Sequence, residues 1–430
     1  MSEGAVTAET SEDLLDVSEG AVVESALNPF EPGFFENPYV QYREQREAGR
    51  VRQMPFGGFL LTHWDDVHTL LRDPHTSVED ENITTGDTMR REAFRKVSPD
   101  REQRGSMGIL NIDPPDHTRL RKLVSKAFTP RTIERLRPRV QTLVDDMLDD
   151  LAAADGPVDL ISGLAFPLPF VVISELLGMP EADRDQLREW SHTVVQSLDP
   201  ILVVTKLDEI LEASDHIGEH VSAAIEWKRG RPDDEDLLNA LIRAEDDGDV
   251  LSDTELLDNV ALLYLAGHET TVNLIGNGTY ALLRHPDQLR QLHDDASLAP
   301  NAVEELLRYD SPVQFSRRIT LEPMTIAGVD IEPGTFVMTG LGCANHDPAK
   351  FGDDAESLDL TRETAREHVS FGSGVHHCLG AALARLEGQV AIGTLARRFP
   401  DLSLVDGDPP EWNGRIVLRG LERLPVSLHG

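Results

Sequence analysis

Near its C-terminus the chain reads Phe371-Gly-Ser-Gly-Val-His-His-Cys378-Leu-Gly380, and residues 381–399 follow with the apolar spacing of a helix. Glycines at this density let the backbone turn tightly or lie close to a flat object. Cys378 precedes the predicted helix N-terminus, where unpaired N–H groups and the helix dipole favour a thiolate. The residues alone leave four interpretations open: an inert cysteine, a nucleophile with His376 or His377 as its base, a zinc ligand, or a thiolate that holds haem iron.

A long helix is predicted in the middle of the chain. Ser252-Asp-Thr-Glu255 is a capping box, in which each side chain accepts a hydrogen bond from the backbone N–H of the other residue. No proline follows until Pro286, so residues 253–285 are predicted to form one helix of roughly 50 Å. Its middle reads Ala266-Gly-His-Glu-Thr-Thr271. This polar cluster is either a tolerated kink with solvated side chains or a groove that presents an acid and an alcohol to a ligand.

The composition excludes several classes of protein. The 430 residues contain 76 acids and 40 bases, a formal net charge of −36. This balance argues against nucleic acid as a partner, because phosphate binding requires a basic face. No apolar run approaches the roughly 20 residues of a membrane span, and no secretory signal is visible. Two cysteines do not make a disulfide framework, and we expect a cytoplasmic monomer with no membrane span.

The rest of the chain predicts a single domain. Residues 1–27 contain seven acids and no lysine or arginine, which is typical of a disordered acidic tail, and the domain is predicted over residues 28–430. Strands are predicted near Val51–Thr62 and within Arg318–Thr339. Helical spacing predominates between residues 116 and 309 and predicts helices over Asp116–Phe128, Ile133–Ala153, Leu168–Leu177, Asp183–Leu198 and Leu207–Lys228. The expected fold class is mainly α with small β-sheets.

The spacing Phe371-Gly-x-Gly-x-His-x-Cys378-x-Gly380 resembles the haem-binding loop of the cytochrome P-450 superfamily, with soluble bacterial members closest in style. Other landmarks of that family follow in the expected order, and the resemblance covers about residues 28–430. They are Asp113-Pro-Pro-Asp-His117-Thr-Arg-Leu-Arg121, Ala266-Gly-His-Glu-Thr-Thr271, Glu305-Leu-Leu-Arg308, Asn345-His-Asp-Pro348 and Leu358-Asp-Leu-Thr-Arg362. The resemblance implies the P-450 fold, with haem between the long central helix and the helix that follows the cysteine.

The resemblance also implies roles for single residues. Cys378 becomes the proximal iron ligand of haem b, since a thiolate favours O–O cleavage. Other residues that it places against the cofactor are Ala266, Phe371, Gly372 and Gly380. The cations that it places near the haem propionates, each otherwise an ordinary surface charge, are His117, Arg121, Arg318 and His376. The catalytic acid–alcohol pair that delivers protons is Glu269 and Thr270. A structural cluster is formed by Glu305, Arg308 and Arg362.

The implied reaction inserts one atom of O₂ into a hydrophobic small-molecule substrate, with electrons from a ferredoxin, a ferredoxin reductase and NAD(P)H. A haem-thiolate peroxygenase or isomerase would not need the Glu269–Thr270 pair, and a haem sensor would show no turnover. By family analogy the substrate pocket is lined by apolar segments, which suits a fatty acid, terpenoid or polyketide. These segments lie before Asn111, around Val194–Leu202, at Leu262–Ala266, at Val313–Phe315 and near Leu421.

Two clusters of basic residues stand out in this acidic chain. Between His117 and Val140 there are eight arginines and lysines and one acid, Glu134, and the resemblance places this segment beneath the Cys378 loop. We predict that it steers an acidic ferredoxin to that face. The second cluster, within Arg90–Arg104, is interpreted as solvated loop charge, with a substrate carboxylate as the alternative ligand.

Overall fold

The structure, a computed structural model, describes residues 23–25, 27–55, 57–85, 108–125, 128–180, 184–234, 236–246 and 249–429. Most of the predicted tail and the whole of the Arg90–Arg104 cluster lie outside these residues. One part of the tail prediction is wrong: Val23–Glu24 form a strand that runs parallel to Val51–Gln53. The acidic composition concealed this short strand, because its pairing is made by backbone groups rather than by side chains.

Helices are the main regular structure of the described residues. In chain order they are α1 Tyr39–Ala48, α2 Trp64–Arg72, α3 Asp116–Ser125, α4 Pro130–Glu134, α5 Arg137–Ala152, α6 Pro167–Leu177, α7 Arg184–Val194, α8 Leu202–Thr205, α9 Leu207–Arg229, α10 Leu237–Ile242, α11 Asp253–Arg284, α12 Pro286–Asp294, α13 Ala299–Tyr309, α14 Leu341–Ala344, α15 Pro348–Phe351 and α16 Ala381–Arg398. Among the described residues, no helix is both long enough and apolar enough to cross a membrane.

The strands are short. In chain order they are β1 Val23–Glu24, β2 Val51–Gln53, β3 Phe59–Leu61, β4 Thr76–Ser77, β5 Val158–Asp159, β6 Glu245–Asp246, β7 Asp249–Val250, β8 Phe315–Thr320, β9 Met324–Ile326, β10 Val329–Ile331, β11 Phe336–Gly340, β12 Ser403–Leu404, β13 Glu411–Trp412, β14 Leu421–Arg423 and β15 Pro425–Ser427. The largest sheet has the order β1-β2-β3-β11-β8-β4, and the other sheets have two or three strands. The predicted class, mainly α with small sheets, is confirmed.

The central helix α11 agrees closely with its prediction. Both hydrogen bonds of the capping box form: the Ser252 N–H donates to Glu255 Oε2 at 2.7 Å, and the Glu255 N–H donates to Ser252 Oγ at 3.3 Å. The helix runs without interruption through its polar middle. A Cβ on Gly267 would lie 3.2 Å from Ile173, so glycine lets α6 approach at this point. His268, Glu269 and Thr271 are buried, so the interpretation of a kink with solvated polar groups is wrong.

Several helix boundaries differ from the predictions for local reasons. The segment predicted as one helix over residues 133–153 is two helices, α4 and α5, and Pro138 lies in the first turn of the second. Proline lacks the N–H that would continue a helix from the preceding turn. The segment predicted over residues 183–198 is α-helical only as far as Val194, and Val195–Leu198 form a 3₁₀ turn.

The core is a layer of helices around α11. Helix α6 packs on one side of α11, and α13 and α16 pack on another. The contact between α11 and α16 is close, because a Cβ on Gly388 would lie 3.0 Å from Leu274. The helix that follows Cys378 is therefore fixed against the second half of the central helix.

Candidate functional site

The Cys378 loop is a tight backbone turn that ends at the start of α16. The Cys378 N–H donates to Phe371 O at 2.9 Å, and the Gly372 N–H donates to Val369 O at 2.8 Å. Gly372 and Gly374 have φ values of 67° and 71°, the left-handed region that favours glycine. A Cβ on Gly374 would lie 2.6 Å from Leu71 O, so this glycine also lets the loop contact the end of α2.

The Cys378 side chain is accessible but lies in a recess of the protein. Burial raises the pKa of its thiol, and the backbone N–H groups of Gly380 and Ala381 oppose that effect, together with the Arg121 and Arg385 guanidinium groups. Gly380 has a φ of −82°, and a Cβ there would lie 4.0 Å from Cys378 Sγ. The backbone conformation itself requires glycine at Gly372 and Gly374, and Gly380 remains a predicted contact of the cofactor.

Phe371 lies beside the loop in a cationic setting that the sequence did not indicate. The Arg385 guanidinium is 4.5 Å from the centre of the Phe371 ring, a cation–π contact. Glu304 accepts two hydrogen bonds from Arg385, at 2.7 and 3.0 Å, and its Oε2 lies 3.1 Å from His368 Nε2. Burial acts to raise the pKa of Glu304, but the hydrogen bonds from His368 and Arg385 outweigh it and lower the pKa to about 2.

The residues predicted as propionate ligands lie close together. The His117 and His376 rings are 4.2 Å apart, and Arg121 donates to His377 O at 2.5 Å. Arg318 is only 4 % exposed and donates to two backbone carbonyls, Arg317 O at 2.7 Å and Leu71 O at 3.3 Å. Helix α3, strand β8 and the Cys378 loop therefore bring their basic side chains to one place.

Of these basic groups His117 and Arg318 are buried, and Arg121 and His376 are partly exposed. Within the described ranges, no carboxylate forms an ion pair with His117, Arg121, Arg318 or His376. Both ring nitrogens of His117 are buried without a hydrogen-bond partner in the same part of the chain. Burial and Arg318 lower the pKa of His376 to about 3, and burial lowers the pKa of Arg318 to about 10. The buried Arg318 cation favours a counter-charge, and the neutral imidazoles of His117 and His376 can donate hydrogen bonds. The two propionates of a haem fit this set of donors.

Thr270 and Glu269 occupy opposite environments on α11. Ala266 is exposed, Thr270 is partly exposed one turn later, and Thr270 Oγ1 donates to Ala266 O at 3.0 Å. Glu269 is buried, and Arg415 Nη1 donates to its Oε2 at 3.4 Å. Burial acts to raise the pKa of Glu269, but Arg415, His268 and His192 outweigh it and lower the pKa. The predicted acid is therefore an ionised group inside the protein.

The sequence did not identify Arg415 as part of the site. It lies in an irregular segment between β13 and β14, 146 residues from Glu269. An arginine in such a segment has no periodicity or motif that would separate it from a surface charge. Only the packing of the C-terminal segment against α7 and α11 reveals it.

The predicted structural cluster forms inside the protein. Glu305 accepts hydrogen bonds from Arg308 Nε at 2.7 Å, Arg308 Nη2 at 2.8 Å and Arg362 Nε at 3.2 Å. The remaining Arg308 hydrogens go to the carbonyls of Asn345, Ala355 and Ser357. The cluster joins α13 to the loop that precedes the Cys378 stretch, and it contains no group exposed enough to meet a substrate.

The basic segment beneath the loop is only partly available to a partner. Arg119 is bound to Glu255, the capping residue of α11, and to Asp249 at 3.3 Å. It therefore attaches α3 to the central helix, and its charge is already paired within the protein. Lys126 lies outside the described residues. Arg131 and Arg135 are exposed, and they form no ion pair in the part of the chain that the structure describes.

Arg137 and Arg139 are also engaged in surface ion pairs. Arg137 donates to Glu134 at 2.5 Å, and Arg139 donates to Glu175 at 2.6 Å. The segments predicted to line a substrate pocket include residues that are buried, such as Val195, Phe315 and Leu421. Leu421 is buried in the core, 4.0 Å from a Cβ placed on Gly276 of α11.

Comparisons with known proteins find relatives that cover most of the chain. The family model described as Cytochrome P450 matches residues 82–419. The cytochrome P450 monooxygenase PikC of Streptomyces venezuelae is 44 % identical over 403 residues, which cover 91 % of each chain. The 6-deoxyerythronolide B hydroxylase of Saccharopolyspora erythraea is 40 % identical over 91 % of this chain and 96 % of its own length. The solved structure of PksS, the bacillaene polyketide synthase cytochrome P450 of Bacillus subtilis, matches 94 % of this chain and 100 % of its own, with a TM-score of 0.82 and 37 % identity.

Proposed function

The chain belongs to the cytochrome P450 family, and we propose that this haem-thiolate monooxygenase hydroxylates a hydrophobic small molecule of the polyketide class with electrons from a ferredoxin. When bound, haem b supplies the oxidising chemistry: O₂, two electrons and two protons convert R–H to R–OH and water. The observation that carries the proposal is the partly exposed Thr270 next to the buried, ionised Glu269 on the central helix.

The residues that would hold the haem come from four parts of the chain. Cys378 supplies the thiolate ligand, and the N–H groups of Gly380 and Ala381 reach its sulfur. The arginines of α3 and β8 and the imidazoles of His117 and His376 would bind the propionates. The cofactor would then lie between α11 and the start of α16, with Ala266 on its distal side and Phe371 on its proximal side.

Thr270 and Glu269 would transfer protons from solvent to the reaction site. In the present arrangement the Thr270 hydroxyl donates to Ala266 O. Rotation about its Cα–Cβ bond would let it donate toward the haem side instead, because its side chain is not fully enclosed. Glu269 would take a proton from solvent and restore the one that Thr270 gives up. Positioned proton transfer of this kind contributes about 10²–10⁴-fold in rate.

The substrate class is inferred from relatives that cover most of the chain. One relative is named for hydroxylation of 6-deoxyerythronolide B, another for polyketide biosynthesis in Bacillus subtilis and another as a vitamin D(3) 25-hydroxylase of Pseudonocardia autotrophica. These names describe large hydrophobic molecules. We therefore place a polyketide first and keep terpenoids and fatty acids as the other classes to screen by the Soret shift that displacement of the haem-bound water causes.

Electrons would arrive at the face of α3 and α4. Arg121 on α3 contacts the Cys378 loop, and Arg131 and Arg135 are the exposed cations nearby in the chain. An acidic ferredoxin would be drawn to this face of a protein whose net charge is −36, and salt would weaken the attraction. A ferredoxin reductase that uses NAD(P)H implies a cytoplasmic location.

Two experiments test the proposed function. Thr270→Ala should still bind haem and consume NAD(P)H but release more hydrogen peroxide and less hydroxylated product; a variant that couples as well as the parent would contradict the assigned role. Activity with ferredoxin, reductase and NAD(P)H should exceed activity with hydrogen peroxide alone. The reverse order would identify a peroxygenase, and no product under either condition would identify a sensor.

The docking face has a matched control. Arg131→Glu and Arg135→Glu should raise the ferredoxin concentration needed for half-maximal rate and leave substrate binding unchanged. Arg397→Glu makes the same charge change at an exposed site near the far end of α16, roughly 24 Å along the helix from the loop. It should have little effect. Equal effects of all three substitutions would show that overall charge, rather than this face, governs reduction.

A further inference from the structure

Arg415 joins three parts of the chain at the acid of the central helix. Its side chain is 2 % exposed, and it donates to Glu269 Oε2 through Nη1. Through Nη2 it donates to His192 Nδ1 at 2.5 Å and to His192 O at 3.3 Å. One buried guanidinium therefore connects the C-terminal segment, the end of α7 and the middle of α11.

The contact between His192 and Arg415 fixes the state of the imidazole. Arginine only donates, so His192 Nδ1 must accept, and the proton of the neutral ring is on Nε2. That nitrogen is 3.5 Å from Glu422 Oε1 on β14. Burial and Arg415 lower the pKa of His192, which keeps the ring neutral and able to accept from the guanidinium.

The residue before His192 makes a second contact with the same turn of α11. His268 Nδ1 donates to Tyr264 O at 2.8 Å, so its Nε2 accepts from Ser191 Oγ at 3.0 Å. Helices α7 and α11 are thus linked at two consecutive positions. Ser191 bonds directly to His268, and His192 is linked to Glu269 through Arg415. A displacement of α7 would break both contacts together.

A further bond joins the segment after α7 to the segment that holds Arg415. The Ile416 N–H donates to Asp199 Oδ2 at 2.8 Å, and Asp199 is buried. Asp199 also accepts from the N–H groups of Ile201 and Leu202 at the start of α8. The connection between α7 and α8 and the Arg415 segment therefore form one hydrogen-bonded unit.

We propose that Arg415 is a positioning residue for proton delivery: it holds Glu269 as a carboxylate bound to a buried cation, and its bond to His192 makes the release of that carboxylate depend on the position of α7. With α7 packed as it is here, Glu269 is bound to a cation and is a poor proton donor. When α7 moves, Arg415 loses its imidazole partner and Glu269 becomes free to exchange protons with water and with the Thr270 side. The inference rests on the proposed role of the Glu269–Thr270 pair.

The charges around Glu269 make Arg415 the dominant partner. Arg415 faces it from the C-terminal segment, His192 from α7 and His268 from its own helix. Glu422 on β14 and Arg188 on α7 act on it only through His192. Since burial without a cation favours the protonated carboxyl, removal of Arg415 should raise the pKa of Glu269.

The first experiment measures the share of NAD(P)H electrons recovered in product between pH 6 and 8. The parent should show a flat profile, because Glu269 is ionised throughout. Arg415→Gln should show a profile that changes with pH, and Arg415→Lys, which keeps the charge, should restore the flat profile. Arg423→Gln removes another C-terminal arginine, paired with Asp408 and Glu411, and should behave as the parent.

The second experiment follows hydrogen–deuterium exchange of the α7 amides in the holoenzyme without turnover. Arg415→Gln and His192→Ala should each speed exchange in α7 by about tenfold or more, because a hydrogen bond to a charged group is lost. If Arg415→Gln does not accumulate as a haem protein, His192→Ala carries both measurements, and parent-like exchange and coupling in that variant would overturn the proposal.

The results distinguish a failure of the positioning role of Arg415 from a failure of the proposed function. Faster exchange in α7 together with a parent-like pH profile in Arg415→Gln would leave Arg415 a purely structural residue and overturn the positioning role. Normal coupling in Thr270→Ala would instead refute the proposed function. A pH-dependent profile in Arg415→Gln that Arg415→Lys restores supports the positioning role.

Discussion

Substitution of Glu305 by glutamine changes one atom inside the cluster that joins α13 to the chain before the Cys378 loop. In the parent, Oε1 accepts from Arg308, Arg362 and the Asp359 N–H, and Oε2 accepts from Arg308 Nε. In the variant, an amide N–H₂ group would face either Arg308 Nε or the other three donors. The substitution also removes the negative charge between two guanidinium groups.

The magnitude follows from burial. The Glu305 and Arg308 side chains are both 0 % exposed, and loss of one member of a buried ion pair costs roughly 3–5 kcal/mol. Arg308 keeps its three bonds to backbone carbonyls, so we expect the lower end of that range, about 3 kcal/mol. A folded domain is stable by about 5–15 kcal/mol in total, so Glu305→Gln should remove roughly a fifth to three fifths of the stability.

The assay is denaturant unfolding of the haem-loaded protein, followed by far-ultraviolet circular dichroism and, separately, by the Soret band. The control is Arg50→Gln. Arg50 makes two bonds of 2.8 Å to Asp66, but its side chain is 49 % exposed. Exposed pairs contribute about 0–1 kcal/mol, so the control should lower the free energy of unfolding by no more than that.

The comparison of the two variants decides whether burial determines how much free energy of unfolding is lost. A loss below about 1 kcal/mol in Glu305→Gln, or an equal loss in both variants, would refute the argument from burial. It would mean that the buried arginines shift enough to compensate for the missing carboxylate. The Soret and dichroism transitions should move together in Glu305→Gln, since the cluster supports the chain that leads to the loop.

Three further predictions concern the loop and its surroundings. Cys378→Ser should lose the strongly red-shifted Soret band of the ferrous carbon monoxide complex, whereas Cys343→Ser, which changes a buried thiol elsewhere, should retain it; the spectra check both. The pKa of Glu304 falls to about 2 in the folded protein. Its ionised form therefore adds about 3 kcal/mol to the free energy of unfolding above pH 4.5, and this stabilisation is lost as pH falls toward 2. Glu304→Gln should therefore be less stable at neutral pH and show a flatter acid limb in unfolding measurements. Gly374→Ala should weaken haem retention, because its Cβ would meet Leu71 O in a left-handed backbone conformation; retention equal to the parent after haem transfer to apomyoglobin would contradict this.

The parts of the molecule that the sequence predicted are those set by local rules. The capping box and the absence of proline located α11 to within one residue, since both signals act within a few residues of the chain. The loop glycines and the Glu305–Arg308 pair could likewise be predicted. A left-handed turn requires glycine, and an ion pair within one helix joins residues three positions apart.

The parts that the sequence could not predict depend on packing between distant segments. Arg415 meets Glu269 only because the C-terminal segment lies against α7 and α11. Arg119 belongs to the basic segment that is predicted to steer a ferredoxin, yet its partner Glu255 is the capping residue of another helix. In both cases the sequence shows the arginine but does not show which carboxylate pairs with it, because nothing local in the sequence marks an ion pair between distant segments.

The parallel pairing of β1 with β2 has a practical consequence for anyone who shortens this protein. Val23 and Glu24 form the outer strand of the largest sheet, and the Ser25 N–H extends the ladder to Gln53 O at 2.7 Å. A truncation at Asn28, where composition alone places the start of the domain, would uncover the backbone edge of β2. Bare edges pair with other chains, so that version should self-associate as its concentration rises, whereas a version that begins at Val23 should stay dispersed.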